Sequence, residues 1–267
     1  MTILYIGDVM GEAGIEVVEN VLPKLRKEKK IDFAVAQAEN VSEGKGIIVT
    51  DFKRLQKAGV DFFTGGNHSL VKAESLQLFN DPAQPIIRPA NYIKGTPGFG
   101  YKYAKTSKGN VLVISLLGKV VGRDADKEVD NPLHIVDSIL ETEKDNSKIA
   151  TVVNFHGDFS SEKVVIGHYL DGRVTAVIGD HWHVPTADAR VLPGGTAHMT
   201  DVGMCGALDS SLGVSYDAII TRWRDGKQTK NILETKGPKQ FNALLIESDG
   251  ATGKALSAIA INSVLKN

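Results

Sequence analysis

The chain has 267 residues, 42% hydrophobic and 24% charged, enough for one large core and read as a single α/β domain over residues 1–267. With 31 Lys and Arg against 32 Asp and Glu, the formal net charge of -1 excludes a global basic field that would hold a nucleic-acid backbone and leaves only local contacts of that kind. The single cysteine, Cys205, excludes an intramolecular disulfide framework and a cysteine-rich zinc module, and fits a reducing, cytoplasmic compartment.

The opening MTILYIGD lacks the basic flank and cleavage site of a secretion signal, and no run approaches the roughly 20 apolar residues that span a bilayer, so no membrane partner is expected. Residues 3–8 are instead a first core strand. A helical pattern follows over 15–30, with Pro23 a candidate kink, and then a strand-like run over 32–40. TDFKRLQKAG reads as a helix capped by Thr50 and ended by Gly59, and 60–68 as a third strand closing on a glycine turn. Further apolar runs cover 110–118, 149–157 and 174–183, with the helix pattern NPLHIVDSILETEKD before the second of these. Strands alternating with helices predict a largely parallel sheet covered on both faces. The last third differs: short pieces around LPGG precede two strand-like runs about a glycine turn over 241–264, a hairpin pattern, so a mixed or second sheet closes the fold.

A residue able to bind metal stands at the carboxyl end of five of these runs: Asp8, then Glu39 and Asn40, then Asn67 and His68, later His156, and last His181 and His183. Alone, an Asp after Gly is a turn residue and a single His a satisfied core or surface group. Their shared position singles them out, because the carboxyl ends of strands in an open sheet converge on one crevice. His181 and His183 point the same way if the chain there stays extended. Two metal ions roughly 3.5–4 Å apart need a bridging carboxylate, for which Glu39 is the natural choice, with imidazole, amide and carboxylate donors around it. The absence of thiolate from this set suits Fe, Mn or Zn in a catalytic site. Such a pair lowers the pKa of a bound water and neutralises a phosphoryl group during in-line attack.

The segments GDVMGEAG, AENVSEGKGI, GGNH, FHGDFSSEK, GDHWHVPTADARVLPGGTAH and TDVGMCG, in that order from Gly7 to Gly206, resemble the YmdB-like family of calcineurin-like metallophosphoesterases. The GNH triplet is common to many metallophosphoesterases; the combination of GDVxG, AEN and TADARxLPGGTA is specific. The resemblance implies a four-layer αββα sandwich of mixed sheets with helices outside, a dinuclear site at the sheet edge, and activity on phosphodiesters including 2′,3′-cyclic nucleotides. It also implies that Asp8, Asn40 and His183 hold one ion and Asn67, His156 and His181 the other, with Glu39 bridging. His68 would sit over the phosphate as electrostatic stabiliser or general acid. The Asp-x-His motif of the wider superfamily is missing because position 10 is Met10, which makes Asn40 the replacement ligand. Thr186, Asp188 or backbone carbonyls are open as partners for the second ring nitrogens of His181 and His183. Departures from the family pattern fall at Ile15, Gln37-Ala38, the residues after His68, Asn154, Gly157-Asp158-Phe159 and Trp182, behind the ligands and at the mouth of the site.

Other residues divide evenly or read as structural. Lys163 either neutralises phosphate or belongs to a solvated helix start, Glu162 either supports a ligand or does not, and Asp201 either orients a ligand histidine or closes a turn. Cys205, His134 and His168 read as structural, His198 carries no assigned role, and 24–30 is a solvated helix end. Two function classes follow: a dinuclear-metal phosphodiesterase acting on a small phosphodiester or cyclic nucleotide, and a regulatory or scaffold protein that keeps the site as a nucleotide sensor with little turnover. RNA ends are a weaker partner class, and a homo-oligomer is left open.

Overall fold

Along β1 (Thr2–Ile6) alternate side chains leave in opposite directions, and that alternation builds the layers. A computed structural model of the chain describes residues 1–266. From β1 the chain continues through β2 (Asp8–Val9), α1 (Gly11–Glu28), β3 (Phe33–Gln37), α2 (Val49–Ala58), β4 (Phe62–Thr64), α3 (Ala73–Asn80) and β5 (Ile86–Ile87). A second series runs β6 (Tyr101–Thr106), β7 (Gly109–Leu117), α4 (Pro132–Thr142), β8 (Ala150–His156), α5 (Ser160–Tyr169), β9 (Ala176–Asp180), β10 (Arg190–Val191) and β11 (Ala197–Met199). The chain closes with β12 (Met204–Ala207), α6 (Tyr216–Asp225), β13 (Lys239–Ser248) and β14 (Ala255–Leu265).

Leu4 and Ile6 pack with Val17, Val18, Phe52, Leu55 and Phe79 of the first three helices, whereas Ile3 and Tyr5 face Val113, Val152 and Ile178 of the other sheet. On the far side Ile114, Val153 and Val177 meet Val136 and Ile139 of α4 and Ile166 of α5. The result is the expected αββα sandwich, in which each buried Leu, Ile, Val or Phe contributes about 1.5–3 kcal/mol from apolar burial.

The single, largely parallel sheet expected from the first two thirds is instead two mixed sheets, of eight and six strands. In the larger, β1, β3, β4 and β5 are parallel, and β13 enters antiparallel beside β1 with β14 on its other edge. In the smaller, β7, β8, β9 and β11 are parallel, flanked by antiparallel β6 and β10. The predicted hairpin is β13–β14. Local corrections are small: α1 starts at Gly11 and runs on through Pro23, and Thr50 lies inside the first turn of α2 because Ile48 is the cap residue. Gly59 ends α2 as expected, at φ 111°.

Candidate metal centre

The layer between the sheets changes from apolar to polar at one end. On β8 Val152 belongs to this layer, so Asn154 and His156 share its face; on β9 Ala176 and Ile178 lead to Asp180, and on β3 Phe33 and Val35 lead to Gln37. Beyond these strand ends the chain turns and delivers the predicted residues. Asp8 is buried where β2 runs beside β12, with its amide donating to the Gly203 carbonyl at 3.0 Å. Gln37 Oε1 accepts from the amides of Ala38 (2.9 Å) and Glu39 (3.3 Å), turning the chain so that Glu39 and Asn40 enter the crevice. The GGNH turn needs glycine at Gly66, because a Cβ there would stand against Glu39 Oε2 and the His156 ring.

Every predicted site residue is brought together. Glu39 Oε1 lies 3.3 Å from His156 Nε2 and 3.2 Å from both Asn40 Nδ2 and His68 Nδ1, while Oε2 accepts from the His68 amide at 2.8 Å. On one side, Asn67 Oδ1 is 3.0 Å from His156 Nε2, and the His156 and His181 rings meet edge-on at 4.5 Å. On the other, Asn40 Nδ2 is 3.2 Å from His183 Nε2, which is 3.8 Å from Asp8 Oδ1. Donor atoms of Glu39, His156 and His181 lie within 4.8 Å of one another, a spacing that one ion can occupy.

His181 and His183 converge by a different route from the one expected. β9 stops at Asp180, and the two histidines have φ of 104° and 64°, left-handed values costing roughly 1–3 kcal/mol each outside glycine. The turn, and not the period of a strand, aims them. Of the ring partners left open, a backbone carbonyl serves His183, whereas His181 takes a carboxylate outside that set. His183 Nδ1 donates to the Leu212 carbonyl at 3.1 Å, and His181 Nε2 is 3.2 Å from Asp158 Oδ2. Thr186 and Asp188 bind each other at 2.6 Å, and Asp188 takes up Thr200, so neither holds an imidazole.

Behind His156 stands a buried network that the sequence reading missed. Asp180 Oδ1 accepts from His156 Nδ1 at 2.6 Å, while Oδ2 accepts from Tyr5 (2.7 Å), Gln37 (3.1 Å) and Asn154 (2.6 Å). Two of the family departures, Gln37 and Asn154, thus meet at one carboxylate oxygen. The parity of β9 was the available signal, since Asp180 shares a face with Ala176 and Ile178. Asp124 was missed as well: its Oδ2 accepts from Asn67 Nδ2 at 2.7 Å and lies 3.6 Å from His68 Nε2, at the mouth.

Charge and burial fit a cation. Asp8 Oδ1 is buried and has no hydrogen-bond partner among the described residues, an arrangement that is costly unless a cation or proton completes it. Burial, together with Asp180, raises the Asp8 carboxyl well above the ordinary range. Burial alone would also raise Glu39, but His156 and His68 outweigh it and hold Glu39 well below. His156 moves the other way: burial opposes its charge, yet Glu39 and Asp180 raise it well above the usual imidazole value. Burial and the neighbouring His156 lower His181 to about 4, and burial lowers His183, which suits neutral metal-binding imidazoles.

Residues outside the centre resolve the remaining readings. Lys163 neither approaches the mouth nor faces solvent, since it is fully buried and pairs with Asp201 at 2.7 Å. Glu162 accepts from the Lys119 amide at 2.8 Å. Cys205 is buried, and burial pushes its thiol up to about 12, in keeping with a structural role. His198 bonds the Val177 carbonyl from β11, away from the centre, and His134 and His168 are exposed on helices. Among the described residues no helix is long and apolar enough to cross a membrane.

A sequence model of the family described as YmdB-like protein matches residues 4–261. The chain belongs to this family. It is 37% identical over 257 residues to the 2′,3′-cyclic-nucleotide 2′-phosphodiesterase of Bacillus subtilis (strain 168), covering 96% of this chain and 94% of that protein. The crystal structure of a novel phosphatase from Mycoplasma pneumoniae superimposes with a TM-score of 0.92 at 29% identity, over 100% of this YmdB-like chain and 94% of the other. The calcineurin-like phosphoesterase YfkN of Bacillus subtilis shares the fold, with a TM-score of 0.57 at 11% identity over 100% of this chain and 90% of that one. The fold is therefore that of the calcineurin-like phosphoesterases, and Glu39, His156 and His181 form a group whose donor atoms could hold a metal ion.

Proposed function

We propose that this YmdB-like chain is an enzyme, a dinuclear-metal phosphodiesterase that hydrolyses small phosphodiesters such as 2′,3′-cyclic nucleotides, through one domain spanning 1–267. The observation that carries this reading is Glu39, buried between two sets of nitrogen and oxygen donors, with the unpartnered Asp8 Oδ1 beside one of them. Asp8, Asn40 and His183 would hold one ion and Asn67, His156 and His181 the other, with the Glu39 carboxylate available to both; the donor set would suit Fe or Mn and accept Zn. When bound, the ions supply Lewis-acid charge for the phosphoryl group and an activated water.

The chain's own residues supply the rest. The lowered pKa of Glu39 keeps it ionised at neutral pH, ready to bridge two cations. Asp180 and the Leu212 carbonyl each take a ring N–H, so that His156 and His183 both present Nε2. His68 is fixed through its amide and Nδ1 to Glu39 and Asn40, and its Nε2 faces the mouth, where it can stabilise the phosphate or donate a proton to the leaving oxygen. A cyclic nucleotide as substrate is supported by the name of the Bacillus subtilis relative. The near-neutral charge favours such a small substrate, or an RNA end, over a long phosphate track.

The test is hydrolysis of a generic phosphodiester and of 2′,3′-cyclic AMP by protein stripped of metal and reconstituted with Mn or Fe, beside Glu39→Gln. Metal-dependent turnover that the variant loses is expected. Absence of turnover with two metals bound per chain would overturn the enzyme reading and favour a nucleotide sensor, and equal turnover by the variant would remove Glu39 from the bridge.

A further inference from the structure

The left-handed conformations of His181 and His183 require a surrounding structure that over-determines the turn, and a buried ionic cluster adjoins it. Asp201 Oδ2 accepts from the amide of Trp182, the residue between the two histidines, at 2.9 Å, and from Lys163 Nζ at 2.7 Å. Its Oδ1 accepts from the Gly203 amide at 2.8 Å. Both Lys163 and Asp201 have 0% of their side chains exposed. Lys163 Nζ also stands 4.0 Å from the centre of the Trp182 ring, and the indole Nε1 donates to the Asp158 carbonyl at 3.0 Å. Thr186 fixes Asp201 in turn: its amide donates to the Asp201 carbonyl, and the Asp201 amide donates to its hydroxyl, both at 2.9 Å.

We propose that Lys163 and Asp201 are positioning residues, which clamp the Trp182 peptide and side chain and thereby hold His181 and His183 in their left-handed turn, facing Glu39, Asn40 and Asp8, before any metal arrives. The proposal rests on the metal-binding reading of those histidines. The chemistry of the cluster explains why its members are charged. Asp201 accepts three side-chain or backbone donors, which a carboxylate can do and a carboxamide with a single oxygen does poorly. A carboxylate so deep in the protein needs a buried cation, and Lys163 reaches it from α5 while its ammonium lies against the indole. Gly179 permits the close approach of β9 to this segment, since a Cβ there would collide with the Thr200 carbonyl. The clamp thus ties α5, the Trp182 turn and the 200–203 segment into one unit, and only the turn carries proposed ligands.

The experiment uses the full chain with Trp223→Phe as background. Trp223 is 86% exposed and far in sequence from the centre, and its removal leaves Trp182 as the sole tryptophan and a reporter of the turn. Asp201→Asn, Lys163→Met and the double variant are compared with this parent by Mn²⁺ titration, Trp182 emission and thermal unfolding. The double variant leaves no unpaired buried charge and serves if a single variant fails to fold. Expected is a loss of Mn²⁺ affinity of about ten-fold or more, with red-shifted Trp182 emission in metal-free protein and kcat restored toward the parent at saturating Mn²⁺. Lower thermal stability with Mn²⁺ affinity within two-fold of the parent and unchanged emission would overturn the proposal and reduce the pair to packing of α5 on β9. A parent that binds no Mn²⁺ would overturn the metal reading instead, while the emission of metal-free protein would still decide whether the clamp holds the turn.

Discussion

His156 Nδ1 donates to Asp180 Oδ1 at 2.6 Å, and this one bond determines which ring nitrogen the histidine turns toward Glu39. Three further donors, from Tyr5, Gln37 and Asn154, crowd the other oxygen of Asp180. Substituting Asp180→Asn can place an amide N–H against His156 Nδ1 and so favour the tautomer that carries its proton on Nε2. Metal affinity is expected to fall by about 10–100-fold, measured by titration of the stripped protein with Mn²⁺; unchanged affinity would mean that the ring is oriented by something other than Asp180.

His68 touches the centre through Nδ1 and leaves Nε2 at the mouth, so its loss should spare metal binding and impair chemistry. For His68→Ala, kcat is expected to fall by about 10²–10⁴-fold while two metals per chain remain. The fall should be smaller for a p-nitrophenyl ester than for a ribose ester, because the better leaving group needs less protonation. Equal losses on both substrates would leave His68 an electrostatic role only.

Gly66→Ala forces a methyl group against Glu39 Oε2 and His156. Overpacking of this kind costs about 1–3 kcal/mol, and here it also displaces the bridge. Metal content and metal-dependent turnover should both collapse, with a lowered but still cooperative thermal transition. Full metal occupancy in the variant would show that the crevice relaxes around the new methyl.

The stripped protein should lose stability as pH rises above about 6.5, the ordinary histidine value. The depressed His181 and His183 are about half protonated in the unfolded state at about pH 6.5 and neutral in both states above about pH 7.5, so they oppose this slope only at the start of the range. Glu39 is ionised in both states and contributes none. His156 and Asp8 are raised in the folded state; their contribution is complete below their unfolded values and disappears as pH climbs through the folded ones. Thermal unfolding in chelator from pH 6.5 to 9 measures this slope. Added Mn²⁺ should reverse it, because the metal replaces the proton and binds more tightly as pH rises. A flat profile in chelator would remove the protonated His156 from the account.

The sequence alone carried the strand ends and the residue types placed on them, since both are local. Continuous apolar runs bounded by glycine mark where a parallel strand delivers its next residue, and the residues so delivered, from Asp8 to His183, do meet in one crevice. Tertiary structure decided what depends on pairing between distant segments: the division into two mixed sheets, and the entry of β13 beside β1, which no local pattern encodes. It decided the aim of His181 and His183 too, because backbone conformation in a turn is set by the Asp201 carboxylate and the packing about it rather than by the DHWH residues themselves. Lys163 shows the same limit. A lysine near a helix start is ordinarily solvated, and only the fold that closes α5 over Asp201 and Trp182 turns it into a buried counter-charge.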